Sequence, residues 1–186
     1  LVRSDEQGFA IKVPRIDLQR TGELVEVDFQ VEVFRFGTVF TGRVSNSEKP
    51  LEVRQTLTPG DADPRIEGNT LSVGLFDIEN KAINSLKLIS SIFTPNDDGV
   101  NDELQIEYEL LNIFGMVSVA MDLYDLSGRW VGTVHRGRVS SGRFGLAWDG
   151  VLASGKIPVP GSYFLRLEVD SDRRKETLER VISLAY

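Results

Sequence analysis

The amino-acid sequence predicts an all-β protein in which two β-sandwiches follow one another along the chain. Apolar and polar residues alternate strictly from Val25 to Val33 and again from Leu104 to Leu110, which is the period of a strand with one buried face. Clusters of glycine, proline, serine and asparagine separate the apolar runs at short intervals, as in antiparallel sandwiches. We therefore expect less than about a tenth of the residues in α-helix.

The first half of the chain carries the shorter strand patterns. After Val25–Val33 the apolar phase shifts at Phe34 and Phe36, as a β-bulge that inserts one residue would cause. The further predicted strands are, in chain order, Thr38–Val44, Leu51–Thr56, Thr70–Phe76 and Leu86–Ile89. The spacing of these runs predicts an immunoglobulin-like sandwich over residues 1–91.

The second half carries longer alternating runs. After Leu104–Leu110 the predicted strands are Val117–Leu123, Trp130–His135, Phe144–Trp148 and Tyr163–Val169. The last segment, around Leu178 and Ile182, fits both a helical stripe and one face of a strand. We predict a strand there, because an all-β neighbour needs a closing edge and the local β propensity is reasonable. Residues 104–186 are thus the second immunoglobulin-like sandwich, and residues 92–103 are the junction loop.

Composition and charge exclude several classes of protein. Twenty-eight acidic and twenty-one basic residues give a net charge of −7, which repels nucleic acids and anionic membrane surfaces. The chain has no cysteine, so disulfide frameworks, thiolate nucleophiles and cysteine zinc clusters are excluded. The most apolar stretch, Leu110 to Met121, is about 12 residues long, short of the roughly 20 that span a bilayer. We expect no membrane span.

One ten-residue segment, Phe93–Asp102, reads FTPNDDGVND and stands between the two halves. Aligned with the EF-hand calcium loop, Gly99 takes the sharp-turn sixth position. The candidate ligands are then Thr94, Asn96, Asp98, the carbonyl of Val100, and Asp102. Gln105 occupies the twelfth position, where a sensor site has a bidentate Glu, so Ca²⁺ bound here would be weak or structural.

The same segment has an alternative interpretation as an Asx-rich turn without a metal. Asn96, Asp97 and Asp98 would bond neighbouring backbone amides, and Gly99 would supply a positive φ. Both interpretations are open at this point. Both make the segment a rigid junction rather than an active site.

The sequence favours a protein that is not an enzyme. His135 is the only histidine; it lies in a predicted strand, and no serine occupies a G-x-S-x-G elbow. Asp61 and Asp63 are too close in sequence to face one sugar from two sides. We interpret them as part of a solvated turn, with a minor cation site as the alternative.

The large aromatic residues of the second half also have two interpretations. Trp130, Trp148 and Tyr163 are expected in the core, because tryptophan in a β-sandwich is more often buried than exposed. The alternative is an exposed platform on which sugar rings stack.

Four motifs of the second half, taken in order, carry a resemblance to known families. They are FTPNDDGVND, YDLSGR at Tyr124–Arg129, WDG at Trp148–Gly150 and PGSYFLRL at Pro160–Leu167. Together they resemble the FlgD-like immunoglobulin-type domain of the flagellar hook cap and of many secreted bacterial proteins. The junction is similar to the FTPNGDGVND signature of gliding-motility-associated, type IX secretion C-terminal domains. The resemblance covers roughly residues 92–186 and departs at Asp97, where the signature has Gly.

The resemblance implies a non-catalytic C-terminal module of a secreted or cell-surface bacterial protein, which serves export, surface attachment or spacing. Its partners would be upstream domains of a longer parent protein, secretion or cell-surface machinery, or copies of itself. The chain opens at Leu1 without a Met or a basic n-region, so we expect the end of something longer. The alternatives are a carbohydrate- or protein-binding module and a subunit of an extracellular filament or cap.

Overall fold

The regular structure of the chain consists of β-strands. A computed structural model describes residues 3–5, 8–14, 25–49, 51–57, 72–74, 81–96, 98–171 and 175–185, and within these ranges it contains no helix. No helix that could cross a membrane is therefore found in the described ranges. The chain divides into two compact units, Leu1–Glu32 and Val33–Tyr186. The all-β prediction is confirmed for the described residues.

Among the described residues before residue 81 there are three small two-stranded sheets. In the first unit, β1 (Arg3–Asp5) pairs antiparallel with β2 (Gly8–Ala10). In the second unit the strands are β3 (Gly37–Val39), β4 (Arg43–Val44), β5 (Gln55–Thr56) and β6 (Ser72–Gly74). β3 pairs with β6 and β4 pairs with β5, both antiparallel. These strands have two or three residues each, so they contribute few backbone bonds.

The predicted strand Val25–Val33 is wrong. The described backbone there has no strand assignment and no strand pairing, and its apolar side chains up to Val31 are exposed, Val31 at 55 % and Phe29 at 50 %. The Phe29 ring contacts Phe9 at 5.2 Å between centroids. Alternation gives a segment an apolar face but not a neighbouring strand, and a strand needs both.

The other early predictions hold only in part. Thr38–Val44 is interrupted between β3 and β4, and Leu51–Thr56 is reduced to the two residues of β5. Of Thr70–Phe76, the structure describes Ser72–Gly74 as β6, and the rest of that run lies outside the described residues.

Residues 83–184 form a sandwich of two sheets. The strands are β7 (Ile83–Leu88), β8 (Ile92–Phe93), β9 (Leu104–Leu110), β10 (Val117–Asp125), β11 (Trp130–Val139), β12 (Gly142–Trp148), β13 (Gly161–Asp170) and β14 (Lys175–Leu184). One sheet has the order β11-β10-β13-β14-β8 and the other β12-β9-β7. Pairing is antiparallel except between β14 and β8, which run parallel. The strands predicted from residue 104 onward are confirmed.

One apolar cluster joins the two sheets. Leu104 and Ile106 of β9, Met121 of β10, Leu165 of β13 and Ile182 of β14 are all at most 1 % exposed and belong to it. Each side chain of this size stabilises the fold by roughly 1.5–3 kcal/mol on full burial. The alternating pattern of the sequence is thus the pattern of this core, because each strand turns every second residue inward.

The last strand and the first strand of the sandwich differ in how well the sequence predicted them. β14 pairs with β13 over ten residues, from Gly161 opposite Leu184 to Asp170 opposite Lys175, which confirms the C-terminal strand. β7 pairs with β9, although the sequence placed Leu86–Ile89 in the N-terminal sandwich. That residues 1–91 and 104–186 are separate domains joined by residues 92–103 stays a prediction.

Replacing Trp148 by alanine should lower the free energy of unfolding by about 3–5 kcal/mol. Trp148 is 4 % exposed, and its Nε1 donates to the Val151 carbonyl at 2.7 Å. Urea denaturation measures the change. Trp130→Ala is the matched control: Trp130 is 55 % exposed, so its loss should cost less than about 1 kcal/mol. Equal costs for the two variants would contradict the assignment of Trp148 to the core.

Candidate functional site

The junction segment is one of the crossovers between the two sheets. It leaves the five-stranded sheet at β8, whose last residue is Phe93, and enters the three-stranded sheet at Leu104 in β9. Phe93 is fully buried, and its ring centroid lies 5.1 Å from that of Trp148. The loop from Thr94 to Asp102 is therefore anchored at its base by the core.

Two carboxylates hold the loop from inside. Asp102 accepts the backbone N–H of Asn96 through Oδ1 at 3.1 Å and that of Gly99 through Oδ2 at 2.7 Å. Asp98 accepts the N–H of Val100 through Oδ1 at 2.8 Å. Hydrogen bonds to a charged acceptor are roughly twice as strong as neutral ones. The two side chains thus tie both arms of the loop together.

The remaining candidate ligands bond within the same loop. Asn96 accepts the Asp98 N–H through Oδ1 at 3.1 Å and donates through Nδ2 to Asp98 Oδ2 at 3.0 Å. The Thr94 hydroxyl donates to the Val100 carbonyl at 3.1 Å, and the Thr94 N–H donates to the Asn101 carbonyl at 2.8 Å. The structure therefore brings all five predicted residues together in one hydrogen-bonded turn.

Backbone conformation explains where glycine is required. Gly99 has φ of 85° and Asn101 has φ of 57°, both in the left-handed region that glycine and asparagine tolerate best. The positive φ predicted for Gly99 is confirmed. Asp97, where the family signature has glycine, lies outside the described residues.

Gln105, at the twelfth position of the EF-hand alignment, lies apart from the candidate ligands. It lies on β9 opposite Ala147, on the exposed face of the sheet, and its Nε2 donates to Glu103 Oε2 at 3.1 Å. An EF-hand loop runs into a helix, whereas this one runs into a strand, so its twelfth position points along a sheet face.

The loop packs against the WDG turn, a contact that local sequence does not reveal. Gly150 has φ of 87°, and a Cβ placed on it would lie 2.9 Å from Cγ of Pro95 and 3.4 Å from Cε2 of Phe93. Asp149 fixes the same turn by accepting the Val151 N–H at 2.9 Å. The first and third motifs are therefore one structural unit.

The YDLSGR motif is a second carboxylate-locked turn. Asp125 Oδ1 accepts the N–H groups of Ser127 and Arg129, each at 3.0 Å, and the Ser127 hydroxyl at 2.5 Å. The hydroxyl of Ser127 and the N–H of Arg129 hold the pKa of Asp125 below its usual value. The ionised carboxylate thus stabilises the folded turn above its usual pKa, and this contribution is lost as pH falls through the lowered pKa.

The aromatic residues do not form a common platform. Trp148 and Tyr163 are buried, as the core interpretation predicted, and the Tyr163 hydroxyl donates to the Val159 carbonyl. Trp130 is exposed, so its assignment to the core is wrong; its Nε1 donates to Asp122 Oδ1 at 3.3 Å. It lies on the outer face because it pairs with Tyr124, one position beyond the last inward residue of β10, Leu123.

Of the remaining candidate residues, His135 is the one that the structure describes. His135 is half-buried on β11, opposite Met121. Asp61 and Asp63 lie outside the described residues.

Comparisons with known proteins give low similarities. No protein-family model matches the chain, and no curated protein was found to match it. The chain is similar to dimeric latent PorU from Porphyromonas gingivalis, with TM-score 0.45 and 15 % identity over 63 % of this chain and 11 % of that chain. It is similar to a β-glucuronidase from Parabacteroides merdae, with TM-score 0.34 and 17 % identity over 56 % of this chain and 13 % of that chain.

A β-glucosidase from Listeria innocua is also similar, with TM-score 0.34 and 14 % identity over 83 % of this chain and 22 % of that chain. The chain thus spans less than a quarter of the length of each of these three proteins. At these TM-scores the similarities carry no conclusion about function.

Gly150→Ala should destabilise the protein more than Gly155→Ala. Both glycines have positive φ, 87° and 78°, so both variants bear the cost of about 1–2 kcal/mol for a left-handed residue. A Cβ at Gly155 meets nothing within 4 Å, whereas one at Gly150 meets Pro95, and overpacking adds about 1–3 kcal/mol. Urea denaturation compares the two, and equal losses would show that the Pro95 contact adjusts without cost.

Proposed function

We propose that the chain is a non-catalytic C-terminal module of a secreted or cell-surface bacterial protein, serving export, surface attachment or spacing. One observation supports this most: the residues that carry the family resemblance are engaged in building the fold. Asp98 and Asp102 close the junction, Asp125 closes a hairpin turn, and Trp148 fills the core. Side chains engaged in this way suit a passive, mechanically stable part.

The proposal also assigns a fold type to each half of the chain. We propose that the sandwich of residues 83–184 is of the FlgD-like immunoglobulin type and that residues before it form a second sandwich in tandem. The motif order supports the first part, and the β-strand pairs before residue 81 support an all-β N-terminal region. The partners of the whole chain would be upstream domains of a longer protein and secretion or surface machinery outside the cell.

Fusion to a reporter tests the export role. The 186-residue chain is placed behind a periplasmic reporter enzyme in a bacterium that has type IX secretion, and reporter activity is measured on intact cells and in the medium. We expect activity outside the outer membrane. The Trp148→Ala fusion should stay inside, because loss of the core anchor removes the folded module. If the natural fusion stays inside the cell, as the reporter enzyme without the chain does, the export role is contradicted.

We further propose that the junction loop binds Ca²⁺ weakly. The donor set of two carboxylates, an amide oxygen, a hydroxyl and a carbonyl suits a hard cation. These groups belong to Thr94, Asn96, Asp98, Val100 and Asp102, which the loop already holds together. A carboxylate oxygen has two lone pairs, so one that accepts a loop N–H can also coordinate a cation. The ion would add to the turn rather than replace it.

Calcium should raise the melting temperature of the natural chain relative to chelator, because it binds the native loop and not the unfolded chain. The expected dissociation constant is on the order of 0.1–1 mM, as in extracellular modules. Asp98→Ala should abolish the difference between the two melts, while Glu103→Ala, just outside the ligand set, should preserve it. For each variant we compare the melting temperature with calcium and with chelator, because Asp98→Ala also removes a hydrogen bond of the turn and lowers stability in both conditions. If the natural chain melts at the same temperature in calcium and in chelator, the calcium proposal is contradicted and the interpretation as a metal-free turn stands.

A further inference from the structure

The outer face of the five-stranded sheet carries a row of apolar side chains, here called the apolar band. Residues opposite each other in an antiparallel pair project to the same side of a sheet. Four such residues follow one another across β11, β10, β13 and β14, namely Trp130, Tyr124, Phe164 and Val181. Tyr124 and Phe164 alternate with the buried core residues of their strands, so the band lies on the outer face. At the usual strand spacing it is about 14 Å long.

Three neighbouring members of the apolar band are aromatic. Trp130 at one end is 55 % exposed and Val181 at the other end is 52 % exposed. Tyr124 and Phe164, which lie between them, are partly buried. A contiguous apolar surface that polar residues border is typical of a binding surface.

The exposed indole of Trp130 is held in one orientation. Its Nε1 donates to Asp122 Oδ1 at 3.3 Å, and the same oxygen accepts the Thr133 hydroxyl at 2.6 Å. The polar edge of the indole is thus bonded within the protein. What Trp130 offers to a ligand is the apolar face of its ring.

A row of charged side chains, here called the polar row, runs beside the apolar band. Asp122 is opposite Arg166, and Arg166 is opposite Glu179. Arg166 Nε donates to Glu179 Oε1 at 2.6 Å, and its guanidinium carbon lies 4.1 Å from the centroid of the Tyr124 ring. Arg136 NH2 lies 3.9 Å from Asp122 Oδ1. The polar row therefore has two carboxylates and two guanidinium groups, whose charges balance.

We propose that this face binds a neutral glycan, an extended chain such as a β-1,4-linked one that lies along the apolar band. A pyranose ring has an apolar face of C–H groups and a border of hydroxyl groups. The apolar face would stack on Trp130 and, further along the band, on Phe164. The hydroxyl groups, which both donate and accept, would bond the carboxylates of Asp122 and Glu179 and the guanidinium of Arg166.

The balanced charge of the polar row favours a neutral glycan over other occupants. A charged ligand of either sign would meet no excess of opposite charge there, and the net charge of −7 would repel an anionic glycan. An apolar protein surface laid over the face would remove the Arg166–Glu179 pair from water, which costs free energy. A hydroxylated ligand instead keeps the pair hydrogen-bonded. The inference does not rest on the export role, because binding is a property of the isolated chain.

Fluorescence titration of the 186-residue chain tests the site, because its two tryptophans differ in exposure. Trp130 is 55 % exposed and Trp148 is 4 % exposed, so a shift of emission to shorter wavelength on adding sugar reports on Trp130. The neutral probes are cellohexaose and mannohexaose, and hexagalacturonate is the anionic control. We expect a neutral hexasaccharide to bind with a dissociation constant between about 10 µM and 1 mM. Hexagalacturonate should not bind.

Substitutions separate stacking from stability, and isothermal titration calorimetry measures their affinities. Trp130→Ala should weaken binding about tenfold or more, whereas Trp130→Tyr, which keeps a ring, should weaken it less. Arg166→Lys keeps the charge but loses the planar guanidinium, so it should also weaken binding. Met116→Ala is the matched control, because Met116 is 54 % exposed and lies just before β10, outside the band. It should leave the affinity unchanged.

Three results would overturn the proposal. The first is failure of both neutral hexasaccharides to bind, or binding that Trp130→Ala leaves unchanged. The second is binding of hexagalacturonate that weakens between about 50 and 500 mM salt, because this would indicate an ionic ligand. The third is self-association that Trp130→Ala abolishes in sedimentation velocity, which would assign the face to a second copy. We expect the natural chain and Trp130→Ala to sediment alike.

Discussion

The chain crosses between the two sheets five times, and the burial of Phe93 fixes the crossing from β8 to β9, on which the junction and the WDG turn both depend. Phe93 pairs with Leu184 in the five-stranded sheet, and its ring contacts Trp148 at the end of the three-stranded sheet. Two residues later, Pro95 packs against Gly150. A short loop between sheets must hold its ends at a fixed separation, and here the apolar contacts of Phe93 and Pro95 act together with the hydrogen bonds that start at Thr94. The acidic loop is thus built on an apolar base.

Side chains of β14 also connect the two sheets. It pairs with β13 and β8 through its backbone, while Glu176 and Arg180 reach the edge of β7. Charged groups on the inner side of a strand are costly unless they reach water or a partner. Here both charged ends meet backbone groups of β7 and its approach. These contacts therefore satisfy backbone groups along the outer edge of β7.

The sequence predicted correctly the alternating segments that pair with a neighbouring strand. It failed for the alternating segment that has no such strand beside it. Leu104–Leu110 and Val25–Val33 have the same period, yet the first lies between β7 and β12 and the second has no pairing in the described structure. The Asx-rich turn was predictable because its bonds are local. The contact of Pro95 with Gly150 and the capping by Glu176 were not, because they join residues 55 and 94 positions apart. Trp130 was misassigned because the prediction used how often tryptophan is buried in β-sandwiches, which does not tell which face of a strand a given tryptophan occupies.

The acidic residues of the motifs share one local geometry, and this bears on what the family resemblance means. Asp98, Asp125 and Asp149 each accept the N–H of the residue two positions ahead. Such a turn requires an Asx side chain whatever the protein does. The motifs therefore specify turns of the fold, and a fold motif does not by itself determine a function. The proposed calcium site at Asp98 would use the remaining lone pairs of a turn that the fold already builds, so the same side chains would serve structure and binding together.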